Sequence, residues 1–186
     1  ALDLKNEGDQ AILHRLLKRA DVLIENFRPG TMARLGFGPE ELKKHYPQLI
    51  FASTSGFGQT GPYADRPAYD IIAQAMGGIM NLTGQPDGPP TMAGTFMVDY
   101  STALYATIGT LCALEARRQT GKGQVVETSL LETSASLLMS AIPDFKQLGQ
   151  SMTRMGSRDR YTAPVNSFQC SDEEWVYLSA GTNSLF

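Results

Sequence analysis

The 186-residue sequence holds only two cysteines, two histidines and one tryptophan. Cys112 and Cys170 form no CxxC pair and are too few for a disulfide framework, so a hydrophobic core must hold the fold. Cys112 falls inside the weakly polar run from Thr102 to Ala116 and is expected in that core. His14 and His45 lie in charged company on amphipathic helical patterns and read as solvated. No Ser/His/Asp or Cys/His pairing and no metal-ligand spacing emerges, so no metal is expected. No stretch approaches the ~20 apolar residues of a membrane span, and nothing resembles a signal peptide. A cytoplasmic, reducing compartment with no membrane partner is the expectation. An excess of positive charge is also missing: 16 Lys and Arg face 19 Asp and Glu, for a net charge of −3. That balance argues against nucleic acid as a partner and means that any anionic ligand must meet a local cluster of cations.

What is present alternates helix and strand. Asp9 can cap a helix whose positions Ile12, Leu13, Leu16 and Leu17 share a face. Val22, Leu23 and Ile24 form a short apolar run expected of a strand buried on both faces. Pro39 with Glu40 and Glu41 opens a second helix that stops before Pro47. A buried strand follows at Leu49 to Ala52, then helices over 69–80 and 98–119, and a strand at Val125 to Glu127. This order predicts an α/β fold with a parallel, Rossmann-like sheet. Residues 1–148 are expected to form this large domain and residues 149–163 a polar linker. Residues 164–186 should open a smaller α/β domain with a hairpin that turns at Ser171 to Glu174.

In such sheets ligands bind beyond the carboxyl ends of the strands. The loop after the first strand offers Asn26 as an amide, Phe27 as a flat apolar face and Arg28 as a guanidinium fork, with Arg34 further on. The same residues also fit an ordinary turn punctuated by Pro29 and Gly30. The loop after the second strand contains Gly56, Gly58 and Gly61 in G-x-G-x-x-G spacing. The dinucleotide fingerprint needs its last glycine to open a helix, whereas Gly61 runs into Pro62 and Pro67, so a nicotinamide or flavin is not expected. Gly121, Lys122 and Gly123 lack the rest of a P-loop and read as a tight turn. Asp99 stands at the start of the long helix with Thr95, Thr102, Ala103 and Ala106 as its helical neighbours. Small residues leave room beside its carboxylate for another molecule, although a helix cap would also place an Asp there.

Taken in order, these segments resemble the family III coenzyme A transferases, the formyl-CoA and carnitine CoA-transferase group. The matching stretches are Ala1 to Lys5, Ala20 to Gly30, Ser55 to Gly58 with Gly61 to Tyr63, Ala68 to Asp70, and Ala73 to Gly78. Asp87 to Pro90, Asp99 and Gly121 to Gln124 continue the likeness, and the stretch from Phe168 to Phe186 resembles the entry to the family's small domain. The resemblance implies that a leading stretch and the C-terminal half of a family member lie outside this sequence. It implies an interlocked homodimer for the whole protein and acyl-CoA and a carboxylate as small-molecule partners. It also implies that no cofactor is tightly bound, with coenzyme A entering as substrate. Carried over by position, Asp99 is the catalytic aspartate and Tyr69 an active-site partner. Leu2, Lys5, Asn26, Phe27, Arg28 and Arg34 fall on coenzyme contacts, Asp70 lies beside the thioester, and Arg66 adjoins a basic coenzyme contact that is Pro67 here. The expected reaction moves coenzyme A between acids through an aspartyl anhydride and an aspartyl-CoA thioester. Two alternatives stand beside it. One is an α-methylacyl-CoA racemase, whose second base would sit where this chain has Tyr69. The other is a coenzyme A-binding fragment without turnover.

Overall fold

The computed structural model describes residues 1–185. Two compact units divide them: residues 1–77 with 96–136, and residues 78–95 with the chain from Leu137 onward.

The first unit is built on a three-stranded parallel sheet in the order β1 (Val22–Glu25), β2 (Ile50–Ser55), β3 (Val125–Ser129). Val22 pairs with Ile50 and Phe51 with Val125, so all three strands run the same way and end on one edge, at Glu25, Ser55 and Ser129. The central strand β2 is buried for nearly its whole length, and Ile50 is completely enclosed. Edge strand β1 is not buried on both faces as its apolar run suggests. Ile24 is 70% exposed, because one face of β1 borders an open cavity rather than a packed helix.

Around the sheet lie α1 (Glu7–Leu17), α2 (Thr31–Arg34), α3 (Pro39–His45), α4 (Asp70–Met76), α6 (Met97–Thr120) and α7 (Leu130–Leu137), with α5 (Ile79–Leu82) in the second unit. Asn6, not Asp9, caps α1: its Oδ1 accepts from the N–H groups of Gly8 at 2.8 Å and Asp9 at 3.3 Å. Asp9 accepts instead from the Asp3 N–H at 2.7 Å. On α1, Leu13 and Leu17 turn inward while Leu16 stays exposed. Leu17 joins Met32, Phe37, Leu42, Leu49 and Phe51 in the main core, where each enclosed side chain contributes roughly 1.5–3 kcal/mol. His14 is less isolated than its charged neighbours suggest, since its Nδ1 lies 2.5 Å from the Tyr46 hydroxyl and its ring 4.8 Å from that of Phe37. The 69–80 helix is broken into α4 and α5 where Gly78 takes a left-handed φ of 95°. Long α6 packs on β2 and β3, and α4 packs on α6. Cys112 is exposed rather than core, because it lies on an exposed face of α6 with Leu104 and Ile108.

The second unit carries α5, α8 (Ala141–Leu148) and an antiparallel hairpin of β4 (Val165–Gln169) and β5 (Trp175–Ser179), with Val165 opposite Ser179. No helix or strand interrupts residues 150–164, and Arg154 there donates to the backbone and side chain of Asn81, both at 3.2 Å.

Two glycines at the end of α6 separate backbone strain from steric exclusion. A Cβ on Gly123 would lie 2.0 Å from the Leu49 carbonyl oxygen, a backbone atom that cannot step aside. A Cβ on Gly121 would meet nothing within 4 Å, but its φ of 70° is left-handed. Gly121→Ala should therefore cost about 1 kcal/mol and Gly123→Ala more than about 2 kcal/mol. Urea denaturation measures both, and equal costs would contradict the packing of the β3 entry against Leu49.

Candidate active site

Beyond the strand ends, the first unit holds a cavity of about 840 Å³, within the size range of small-molecule sites. Ile24, Glu25, Ala52, Thr54 and Ser55 supply the sheet side. Asp99, Thr102, Ala103, Ala106, Thr107, Thr110 and Leu111 of α6 supply another wall, and Arg66 to Tyr69 a third. The loop from Asn26 to Pro29 completes the rim.

The parallel register makes this convergence possible. It delivers the β1 loop and the glycine-rich β2 loop to the same edge, and Gly56 lets the second loop press on Ala68. A Cβ at Gly56 would sit 2.4 Å from the Ala68 Cβ. Gly58 and Gly61 take left-handed φ values of 90° and 96°, and no helix opens at Gly61. The loop is thus a shaped turn and lacks the helix N-terminus that a pyrophosphate cradle requires.

Asp99 lies in the first turn of α6 with Thr102, Ala103 and Ala106 beside it on the same cavity wall. Partial burial, and then the negative charge of Asp70, raise its carboxyl pKa above the ordinary value. A carboxylate of raised pKa is a stronger base and nucleophile once ionised. Asp70 itself is 2% exposed and does not line the cavity. Its Oδ2 accepts from the N–H groups of Val98 at 2.8 Å and Asp99 at 3.0 Å, and its Oδ1 accepts from the Gln74 amide.

Of the other residues singled out in the sequence, Asn26, Phe27, Arg28, Arg66 and Tyr69 line the same cavity, whereas Leu2, Lys5 and Arg34 do not. Asn26 spends its amide on its own loop, donating to the Thr54 carbonyl at 2.7 Å. Phe27 is half exposed and Tyr69 is 76% exposed at the cavity. Arg66 stacks its guanidinium 4.3 Å above the Tyr63 ring. Among the described residues, neither Arg28 nor Arg66 forms an ion pair with a carboxylate. Two guanidiniums without carboxylate partners on one cavity offer donors that could meet an anion such as a phosphate. Leu2 and Lys5 are exposed before α1, and Arg34 is exposed at the end of α2, donating to the Thr31 hydroxyl at 2.9 Å. Neither histidine lines the cavity.

Sequence reasoning overlooked Glu25. It is buried at the carboxyl end of β1, accepting from the Phe27 N–H at 2.8 Å and from the Ser53 hydroxyl. Ser53 Oγ in turn accepts from the Gln59 side chain at 2.8 Å, so the network ties the β1 loop to the glycine-rich loop. The available signal was an acid closing an apolar strand, where burial demands partners.

The sequence model of CoA-transferase family III matches residues 1–186. An acetyl-CoA:oxalate CoA-transferase from Acetobacter aceti is 48% identical over 186 residues, covering 100% of this chain and 48% of that protein. A succinyl-CoA–D-citramalate CoA-transferase from Chloroflexus aurantiacus is 40% identical over 185 residues, covering 100% of this chain and 46% of that one. The crystal structure of a CAIB/BAIF family protein from Brucella suis superimposes with a TM-score of 0.90 at 38% identity, over 98% of this chain and 48% of that one. The chain thus spans about half the length of the relatives it matches.

Glu25→Ala should cost about 2 kcal/mol in urea denaturation, because it strands the Phe27 N–H and the Ser53 hydroxyl. Glu25→Gln, which keeps an acceptor, should cost less. A change within about 0.5 kcal/mol for the alanine variant would show that the network does not hold the loop.

Proposed function

The chain belongs to CoA-transferase family III, and from that premise we propose that it bears the coenzyme-binding wall and the nucleophile of an enzyme moving coenzyme A from an acyl-CoA to a carboxylic acid. The observation that carries this reading is Asp99, its pKa raised, on one cavity with an exposed aromatic ring and two unpaired guanidiniums. Coenzyme A presents the matching groups: an adenine for Phe27 and phosphates for Arg28 and Arg66. Leu2, Lys5 and Arg34, exposed off the cavity wall, are assigned to the outer end of the same ligand.

In the proposed reaction an Asp99 Oδ attacks the donor's thioester carbonyl. The Oδ–C bond forms and the C–S bond breaks, with its electron pair leaving on the coenzyme A thiolate. The thiolate then attacks the aspartyl carbonyl, releasing the donor acid as a carboxylate and leaving coenzyme A on Asp99. The acceptor carboxylate attacks this thioester to give a second anhydride. Attack of the freed thiolate on the acceptor's acyl carbon forms the new acyl-CoA and restores Asp99. No proton or redox partner is consumed, and each hard acyl transfer is split into easier steps. The Tyr69 hydroxyl, on the same cavity, is assigned to the developing oxyanion.

A racemase needs a second base at neutral pH. The cavity offers Tyr69 there and no histidine, and an ordinary tyrosine ionises near 10. The names of the two enzyme relatives, which include oxalate and D-citramalate, support a short carboxylate-rich acid as acceptor. Exposed Tyr100, Leu104 and Ile108 on α6 form an apolar stripe that supports a homodimer of the whole protein. Among the described residues no helix is long and apolar enough to cross a membrane. Free, exposed Cys112 supports a reducing, cytoplasmic setting.

In the whole protein, Asp99→Asn should lower transfer at least about a thousandfold while coenzyme A binding stays within about threefold. Tyr69→Phe should lower kcat by about a hundredfold with the Kd for coenzyme A preserved, consistent with about 3 kcal/mol per oxyanion donor. Arg28→Ala and Arg66→Ala should each weaken coenzyme A binding about tenfold, near 1.4 kcal/mol, by calorimetric titration. Transfer surviving Asp99→Asn would overturn the nucleophile assignment, and an unchanged Kd in both arginine variants would overturn the phosphate contacts.

A further inference from the structure

We infer that Asp70 is a positioning residue for the transfer reaction, which fixes the α6 N-terminus so that Asp99 faces the cavity and which acts on Asp99 through its own negative charge. This rests on the reading of Asp99 as nucleophile.

The start of α6 leaves backbone donors in need of acceptors. A helix leaves its first N–H groups without intrahelical acceptors, and a side chain at the N-cap usually supplies one. In α6 the N-cap residue is Phe96, which has no side chain able to accept. The acceptor comes from elsewhere in the chain. Asp70, on the first turn of α4, takes the N–H groups of both Val98 and Asp99 on one carboxylate oxygen. Its other oxygen is engaged by Gln74 one turn further along α4. Val98 and Asp70 are both almost completely enclosed, so this contact is shielded from water and cannot be replaced by solvent.

Two consequences follow for the site. The bond to the Asp99 N–H holds the nucleophile's own backbone, while neighbouring Tyr69 projects at the cavity from the residue before Asp70. One carboxylate therefore sets Asp99 and Tyr69 relative to each other. The second consequence is electrostatic. The charged and titratable groups on the cavity are Glu25, Arg28, Arg66 and Tyr69 beside Asp99, with Asp70 behind it. Asp70 contributes to the raised pKa of Asp99, after burial. The helix dipole alone would favour the ionised carboxylate and depress its basicity. A like charge beneath the first turn opposes that effect.

The test is the pH dependence of kcat/KM in the whole protein, with an acyl-CoA donor and a dicarboxylate acceptor, for wild type, Asp70→Asn and Asp70→Glu. Attack needs ionised Asp99, so activity falls as pH drops through its pKa. Removing the Asp70 charge lowers that pKa, so the acid limb of Asp70→Asn should move to lower pH. At the plateau, kcat should fall at least about tenfold, through misplacement of Asp99 and Tyr69. Asp70→Glu keeps the charge and should hold the acid limb near wild type, with kcat between the other two. A merely structural Asp70 would lower thermal stability and leave the limb in place, which would overturn the inference. If Asp70→Asn does not fold, Asp70→Glu decides alone: a limb displaced to lower pH despite the retained charge would overturn it. Asp99→Asn is run in parallel. Turnover in that variant would bring down the nucleophile reading itself, whereas an unmoved limb in Asp70→Asn with inactive Asp99→Asn would bring down only the role of Asp70.

Discussion

The hydrogen bonds from the first turn of α6 to the buried Asp70 carboxylate are the joint on which the site depends. Phe96 gives this 24-residue helix no side-chain cap, and Asp99, the proposed nucleophile, lies in its first turn. Joining that terminus to α4 brings together two segments 28 residues apart in sequence. It aligns the α4 entry, with Arg66 and Tyr69, along the wall that α6 provides. The packing of α6 on β2 and β3 then carries the alignment into the sheet. From there the parallel register passes it to the two loops after β1 and β2.

An acidic chain proposed to bind a polyanion faces a distribution problem. It meets it by leaving two guanidiniums on the cavity without acidic partners, while Arg117 and Arg118 pair with Asp21 and Glu115 elsewhere. Carboxylates near the cavity are handled by a different rule. Glu25 and Asp70 are enclosed and spend their oxygens on backbone N–H, hydroxyl and amide donors. Asp99 lines the cavity from the first turn of α6, and its backbone N–H is held by Asp70.

Much of this was legible in the sequence. Apolar runs and helix signals located β1, β2, α3 and α6, and the break in period after Leu148 anticipated the hairpin. The small residues around Asp99 correctly announced space beside it, since Thr102, Ala103 and Ala106 share its cavity. What was not legible depended on partners distant in sequence. Asp70 looks like a residue for the ligand when read next to Tyr69, and only the approach of α4 to α6 turns it inward. Asn26 looks free until Thr54 arrives beside it. Cys112 and Ile24 read as core because composition reports apolar character and not which face meets a neighbour. Asn6 displaced Asp9 as the α1 cap because N-cap preferences leave a choice of a few residues that only the backbone path resolves.

The central claim is that Asp99 becomes covalently acylated during turnover. Its most direct test is peptide mass spectrometry of the whole protein quenched during turnover with acyl-CoA, with and without hydroxylamine. A coenzyme A adduct on the peptide containing Asp99 is expected, with conversion of that side chain to a hydroxamate when hydroxylamine is present. Transfer that proceeds with Asp99 unmodified, or with the adduct on another residue, would contradict it.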